Sequence, residues 1–182
     1  MSTALRHGIL AALVLVAWHA PAASAQETET EVAREALAIC RRADRLPPAE
    51  GRALLDRGLA LAERAIADRP DDPVAHFAAF CNRGKRIEAA GLSFRILGEV
   101  RRVRHHIERA LELAPDWSEA LAGKGALLLA LPGPLGGDRT EGERLLRRAL
   151  ALDPSNLEAR ERLGEVLRVG AASASDTGPC EG

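Results

Sequence analysis

Apolar residues recur along this chain with a helical period from about residue 28 to residue 169. In the clearest stretch Ile96, Leu97, Val100, Val103, Ile107, Ala110, Leu111 and Ala114 follow i, i+3, i+4 spacing, which lays one apolar stripe along a helix. The stripes break wherever proline or clustered glycine interrupts them. The pattern predicts seven helices, over residues 28–45, 49–69, 73–90, 93–114, 117–131, 139–152 and 156–169. The run GAASASDTGPCEG (170–182) is small and polar and is expected to be a disordered tail.

One phrase occurs three times: RAIADRPDD (64–72), RALELAPDW (109–117) and RALALDPSN (148–156). Each is the end of an amphipathic helix, a proline that cannot continue it, and a polar starter for the next. Asp116 with Glu119 and Ser155 with Glu158 have capping-box spacing, and Asp72 precedes Pro73 at an expected first helical position. Alanine stands five residues before each proline (Ala65, Ala110, Ala149) and five after it (Ala75, Ala120, Ala159). Five further on come Phe80, Gly125 and Gly164. Small residues at fixed offsets let the helices of a hairpin approach closely.

LPGPLGGD (131–138) raises a separate question, because glycine-rich loops can cradle phosphate. A phosphate loop needs G-x-x-x-x-G-K-[ST] after a strand, and neither is present. GKG at 123–125 fails too, since it lies inside a helical stretch. The run reads as a corner: Pro132 and Pro134 stop one helix, Gly136 and Gly137 allow positive φ, and Asp138 with Glu141 caps the next.

Composition agrees with helices and adds a compartment. Ala, Leu, Arg and Glu dominate, tyrosine is absent, and the aromatics beyond residue 25 are Trp117, Phe77, Phe80 and Phe94. MSTALRHG, the apolar run ILAALVLVAWHA (9–20) and PAASAQ with Ala23 and Ala25 have the layout of a secretory signal peptide. The expected cut lies between Ala25 and Gln26, and no cysteine at that point suggests a lipid anchor. Twelve apolar residues fall short of the roughly 20 that span a bilayer, so no membrane span is expected after cleavage. The domain plan is therefore a signal peptide (1–25), a helical repeat domain (26–169) and a tail (170–182). With Arg6 removed, 24 basic residues face 26 acidic ones, which gives no basic excess for nucleic acid.

The alanine, proline and glycine offsets resemble those of the tetratricopeptide repeat (TPR) over roughly residues 50–169. The phrases lie 45 and 39 residues apart where that family has 34, and Leu121 and Arg160 stand where it favours a large aromatic. The resemblance implies an all-α fold: a right-handed superhelix of antiparallel helix hairpins, a TPR-like α-solenoid of about three repeats plus a capping helix. The stretch 132–154 also resembles a group of exported bacterial TPR-like proteins that includes the T-component of TRAP transporters, an accessory thought to associate with a periplasmic solute-binding protein.

By that resemblance four positions of each first helix line a concave groove. They map to Val74, Phe77, Cys81 and Gly84, then Glu119, Ala122, Ala126 and Leu129, then Glu158, Glu161, Glu165 and Arg168. The lining would run from apolar to acidic, with Phe77 as an exposed anchor and Phe80 packed between helices. Cys40 and Cys81 fall on neighbouring first helices and could approach each other, as a disulfide or as two small buried residues.

The sequence carries no recognisable catalytic or metal-binding pattern. His105 and His106 diverge by about 100° on a helix and cannot easily share a metal. They belong to RRVRHHIER (101–109), read as a solvated basic face or a surface for an acidic partner. His76 reads as a hydrogen-bonded, partly buried side chain. No nucleophile motif and no metal or cofactor site is expected, and the chain reads as a non-enzymatic periplasmic or secreted scaffold that binds a protein or small ligand. The alternatives are a structural protein that self-associates and a hydrolase acting in the cell envelope, for which no motif is present.

Overall fold

The computed structural model describes residues 22–43, 45–90 and 96–175. Seven α-helices occupy them: α1 (Ala22–Ala43), α2 (Pro48–Asp68), α3 (Pro73–Ala90), α4 (Ile96–Leu113), α5 (Ser118–Ala130), α6 (Arg139–Leu152) and α7 (Leu157–Ser175). No strand is present among the described residues. Residues 1–21, nearly all of the expected signal peptide, lie outside them, and the expected cut falls in the first turn of α1. The end of the chain departs from expectation. Ala171, Ala172 and Ala174 are strong helix formers and carry α7 past Val169 to Ser175, so residues 170–175 are helical and not part of a disordered tail. Residues 176–182, with Cys180, lie outside the described residues.

Each helix packs on its successor as α1/α2, α3/α4 and α5/α6, with α7 laid against α5 and α6. First helices also adjoin, α1 against α3 and α5 against α7. The repeated alanines explain the closeness. Ala65, Ala75, Ala110, Ala120, Ala149 and Ala159 are each at most 1% exposed. An added Cβ at Gly125 would stand 2.9 Å from the Gly142 carbonyl oxygen, and one at Gly142 would stand 3.0 Å from the Gly125 oxygen. The α5 and α6 backbones thus touch through a pair of glycines.

Helix starts are set by side chains that accept otherwise orphaned amides. Asp72 accepts from Val74 and Ala75 at the start of α3, and Asp138 accepts from Glu141 at the start of α6. Two expected caps move. Trp117 holds the cap position of α5 without a side-chain bond, and Asp116 instead pairs with Arg148 on α6. Asn156, not Ser155, caps α7 through Ala159. Its amide nitrogen also reaches Ser118 Oγ, which donates to the Ala149 carbonyl, so one cap joins three helix ends.

The 131–138 corner folds back onto α5. Gly133–Leu135 forms a 3-10 turn and Gly136 takes φ 82°. Gly137 has no positive φ; it is needed because a Cβ there would meet the Leu131 oxygen at 1.7 Å. The amides of Leu135, Gly136, Gly137 and Asp138 donate to Pro132, Gly133, Pro132 and Leu128 in turn. None of the four is left to hold a phosphate. Arg104 of α4 clasps the corner from outside through the Gly136 carbonyl at 2.7 Å.

Cys40 and Cys81 are bonded to each other, tying α1 to α3 across 41 residues of chain. In the chain-entropy picture, cross-linking a loop of that length removes about 4 kcal/mol of unfolded-state freedom. The double variant Cys40→Ser/Cys81→Ser should lose stability of that order in urea unfolding. A loss below about 1 kcal/mol would show that the bond constrains little.

Candidate functional site

The first helices α1, α3, α5 and α7 form one wall, and its inner face is where a groove would lie. Two expected groove residues are absent from that surface. Phe77 is 5% exposed and belongs to the main core with Ile107, Ala110 and Ala120, and Ala122 is fully buried against Leu145 and Leu146. The expected roles of Phe77 and Phe80 are reversed. Phe80 is only partly buried and lies over Gly123, where a Cβ would come within 2.8 Å of its ring. Phe77 stacks on Phe80 and meets Trp117 at 4.7 Å between ring centroids. Gly123 of α5 lies within reach of both rings, and Phe77 is the one that also packs among Ile107, Ala110 and Ala120 and against Trp117.

The other predicted residues divide. Cys81 is held in the disulfide, and Val74 packs against the core. Gly84 has open space around it. Glu119 accepts both short bonds of Arg41, so a guanidinium from α1 reaches α5 past α3. Both side chains are more than 40% exposed, so the pair contributes modestly to stability.

Ala126, Leu129 and Glu165 come together. With Leu128, Val166, Asp138, Arg139 and Arg162 they line an open depression of about 410 Å³ between the end of α5, the corner and α7. Its floor is aliphatic and its rim is charged. Arg162 pairs loosely with Glu165 at 3.5 Å, and Arg139 donates to the Val166 carbonyl. Glu158 stands further along the same wall. Its carboxyl meets water, yet the surrounding wall crowds it enough that desolvation pushes its pKa above the usual carboxylate range. Arg162 and Lys85 oppose that shift, while Glu88 and Glu119 reinforce it. Glu161 and Arg168 are exposed on α7, rotated away from the depression.

A second cluster joins α3 to α4. His76 is 4% exposed, and its Nε2 donates to the Pro70 carbonyl at 2.9 Å. That bond leaves Nδ1 as the acceptor for the Nδ1–H of His106, 3.3 Å away. The pairing makes His76 the neutral, accepting ring and occupies both of its nitrogens. No set of three or more His, Cys, Asp or Glu among the described residues is placed to hold a metal ion. The adjacent His105 is exposed but keeps an edge contact with the His76 ring, 6.4 Å between centroids, and His106 is half-buried, so the two histidines are not simply part of a solvated basic face.

Burial holds the pKa of His76 below its ordinary value. Burial, followed by the repulsion that His76 exerts when protonated and by that of Arg83 and His105, lowers that of His106 to about 4. A base with a depressed folded pKa contributes stability that is present above its unfolded value near 6.5 and is lost as pH falls toward 4. Between pH 7 and pH 5 this one group should remove about 2 kcal/mol. His106→Gln should flatten that part of the profile in urea unfolding at the two pH values. An unchanged pH slope would mean that the histidine pair does not titrate as described.

No family model matches the chain, and no curated protein matches it. Among solved structures the chain is similar to the first TPR domain of Spaghetti (RPAP3) bound to the HSP90 peptide SRMEEVD. The two share 17% sequence identity with a TM-score of 0.50, over 76% of this chain and 95% of that one. The architecture is thus an all-α, TPR-like stack of helix hairpins.

Proposed function

We propose that this chain is an exported, non-enzymatic scaffold that binds another protein along its concave wall, with the α5–α7 depression as the anchoring point. The observation that carries this reading is the depression itself. An aliphatic floor from Ala126, Leu128, Leu129 and Val166 stands beside Arg139, Arg162 and Glu165, a surface suited to an apolar side chain flanked by charge. The structural neighbour holds a peptide, a precedent for an extended segment as the occupant. Nothing reactive faces the depression: its charged groups pair with each other or with backbone, and the buried histidine bonds its neighbour.

Export is supported by the residues that open the chain and by the Cys40–Cys81 bond, which persists in an oxidising compartment. In this reading the mature protein begins at Gln26 in the periplasm. The resemblance of residues 132–154 to TRAP accessory proteins nominates a solute-binding protein as the partner.

Affinity capture from periplasmic extract tests both parts. The wild-type chain, starting at Gln26 by mass spectrometry, should retain a discrete partner. Ala126→Arg fills the depression and Arg162→Glu inverts its rim, so each should reduce capture about tenfold or more. Both positions are partly or fully exposed, so melting should change little. Undiminished capture by both variants would place binding elsewhere.

A further inference from the structure

We propose that the outer face of α7 is a self-association surface, on which a second copy of this chain packs its own α7 antiparallel about a two-fold axis. The inference starts from the repeat register. Gly125 and Leu128 of α5 stand at the same offsets from Pro115 as Gly164 and Leu167 of α7 do from Pro154. On α5 these two residues meet α6: Gly125 abuts Gly142 and Leu146, and Leu128 packs on the cluster that contains Leu145 and Leu146. On α7 their counterparts lie open among the described residues. A Cβ at Gly164 would find no atom within 4 Å, and Leu167 is 56% exposed. Among the described residues, α7 thus carries the features of a hairpin's first helix with no second helix packed on this face.

The exposure is concentrated at this end of the stack. The exposed large hydrophobics among the described residues are Leu152, Leu157 and Leu167, at the end of α6 and along α7. Helical spacing places Leu157, Glu161, Gly164 and Arg168 on one face, with Leu167 at its edge beside Gly164, opposite the buried Ala159 and Val166. The absence of a side chain at Gly164 lets a neighbouring helix come close.

Charge identifies the occupant. Glu161 and Arg168 lie two turns apart on that face, both exposed, and neither has an ion-pair partner among the described residues. Antiparallel apposition centred beside Gly164 sets Glu161 of each copy opposite Arg168 of the other. One sequence therefore satisfies both sides, as an isologous contact requires.

Sedimentation equilibrium of the mature chain across a concentration series should show a reversible monomer–dimer transition. Leu167→Glu should shift it toward monomer, raising the dissociation constant at least tenfold. Glu161→Arg alone and Arg168→Glu alone should each do the same, because each sets like charges opposite one another. An equimolar mixture of those two variants should recover dimer, a gain that damaged folding cannot produce. A chain that stays monomeric throughout overturns the proposal. So does a dimer indifferent to all three substitutions, or charge variants that fail to recover on mixing.

Discussion

The structure depends on how the second hairpin meets the third. Elsewhere neighbouring helices approach through alanine and glycine, but the α3 and α5 backbones scarcely meet. Rings fill the space between them. Phe77 is sealed beneath, Phe80 lies on Gly123, and Trp117 closes the edge from the start of α5. In an aromatic-poor chain, three of the four aromatic residues beyond residue 25 are gathered at this joint. Rings bury large apolar areas with few rotatable bonds, so they can hold two segments together without backbone contact. The core with Phe77 serves α1–α4 and the first turn of α5, and that with Leu146 serves α5–α7. Leu111 packs against both.

On either side of the joint the helices are held differently. The α1–α3 pair has a covalent tie at Cys40–Cys81 and a buried amide at Asn82, which donates to the Ala36 and Ala78 carbonyls. Arg83, almost fully buried, bridges Glu63 of α2 and Glu99 of α4, so its charge is matched on both sides. The α5–α7 part has no such tie. It is held by the Gly125–Gly142 contact and by the Ser118–Asn156 hydrogen bonds, and its open depression is at the end furthest from the disulfide. The proposed binding site thus belongs to the less constrained part of the stack, where a partner can be accommodated by small shifts of α7.

Helix number and most boundaries were legible because amphipathic period and proline placement are local signals. The repeated alanines identified the closest packing correctly for the same reason: a small side chain at a fixed offset has one structural use. Burial was not legible where the deciding atom was distant in sequence. Phe77 and Phe80 differ by three residues on one helix, and the partners that decide their burial, Gly123 under both rings and Ile107 and Trp117 around Phe77, lie on other elements. GKG at 123–125 contained that signal, with Gly123 under a ring and Gly125 against α6. Gly58 had none visible: its lack of a side chain matters because Asn82 packs on it from α3. The cap of α7 moved from Ser155 to Asn156 for a similar reason, since only Asn156 also reaches Ser118. Groove positions carried over by resemblance fared unevenly, because hairpins spaced 45 and 39 residues apart need not present the surface of a 34-residue repeat.

Trp117 gives direct access to the joint, being the one tryptophan beyond residue 25. Urea unfolding of the mature protein should be followed by Trp117 fluorescence and by far-ultraviolet circular dichroism, for wild type and for Phe77→Ala. If the aromatic joint makes the stack one cooperative unit, the two signals coincide in wild type. Phe77→Ala should then lower stability by about 3–5 kcal/mol, with the fluorescence transition preceding the loss of helix. A Phe77→Ala protein that keeps the wild-type midpoint by both signals would contradict the account.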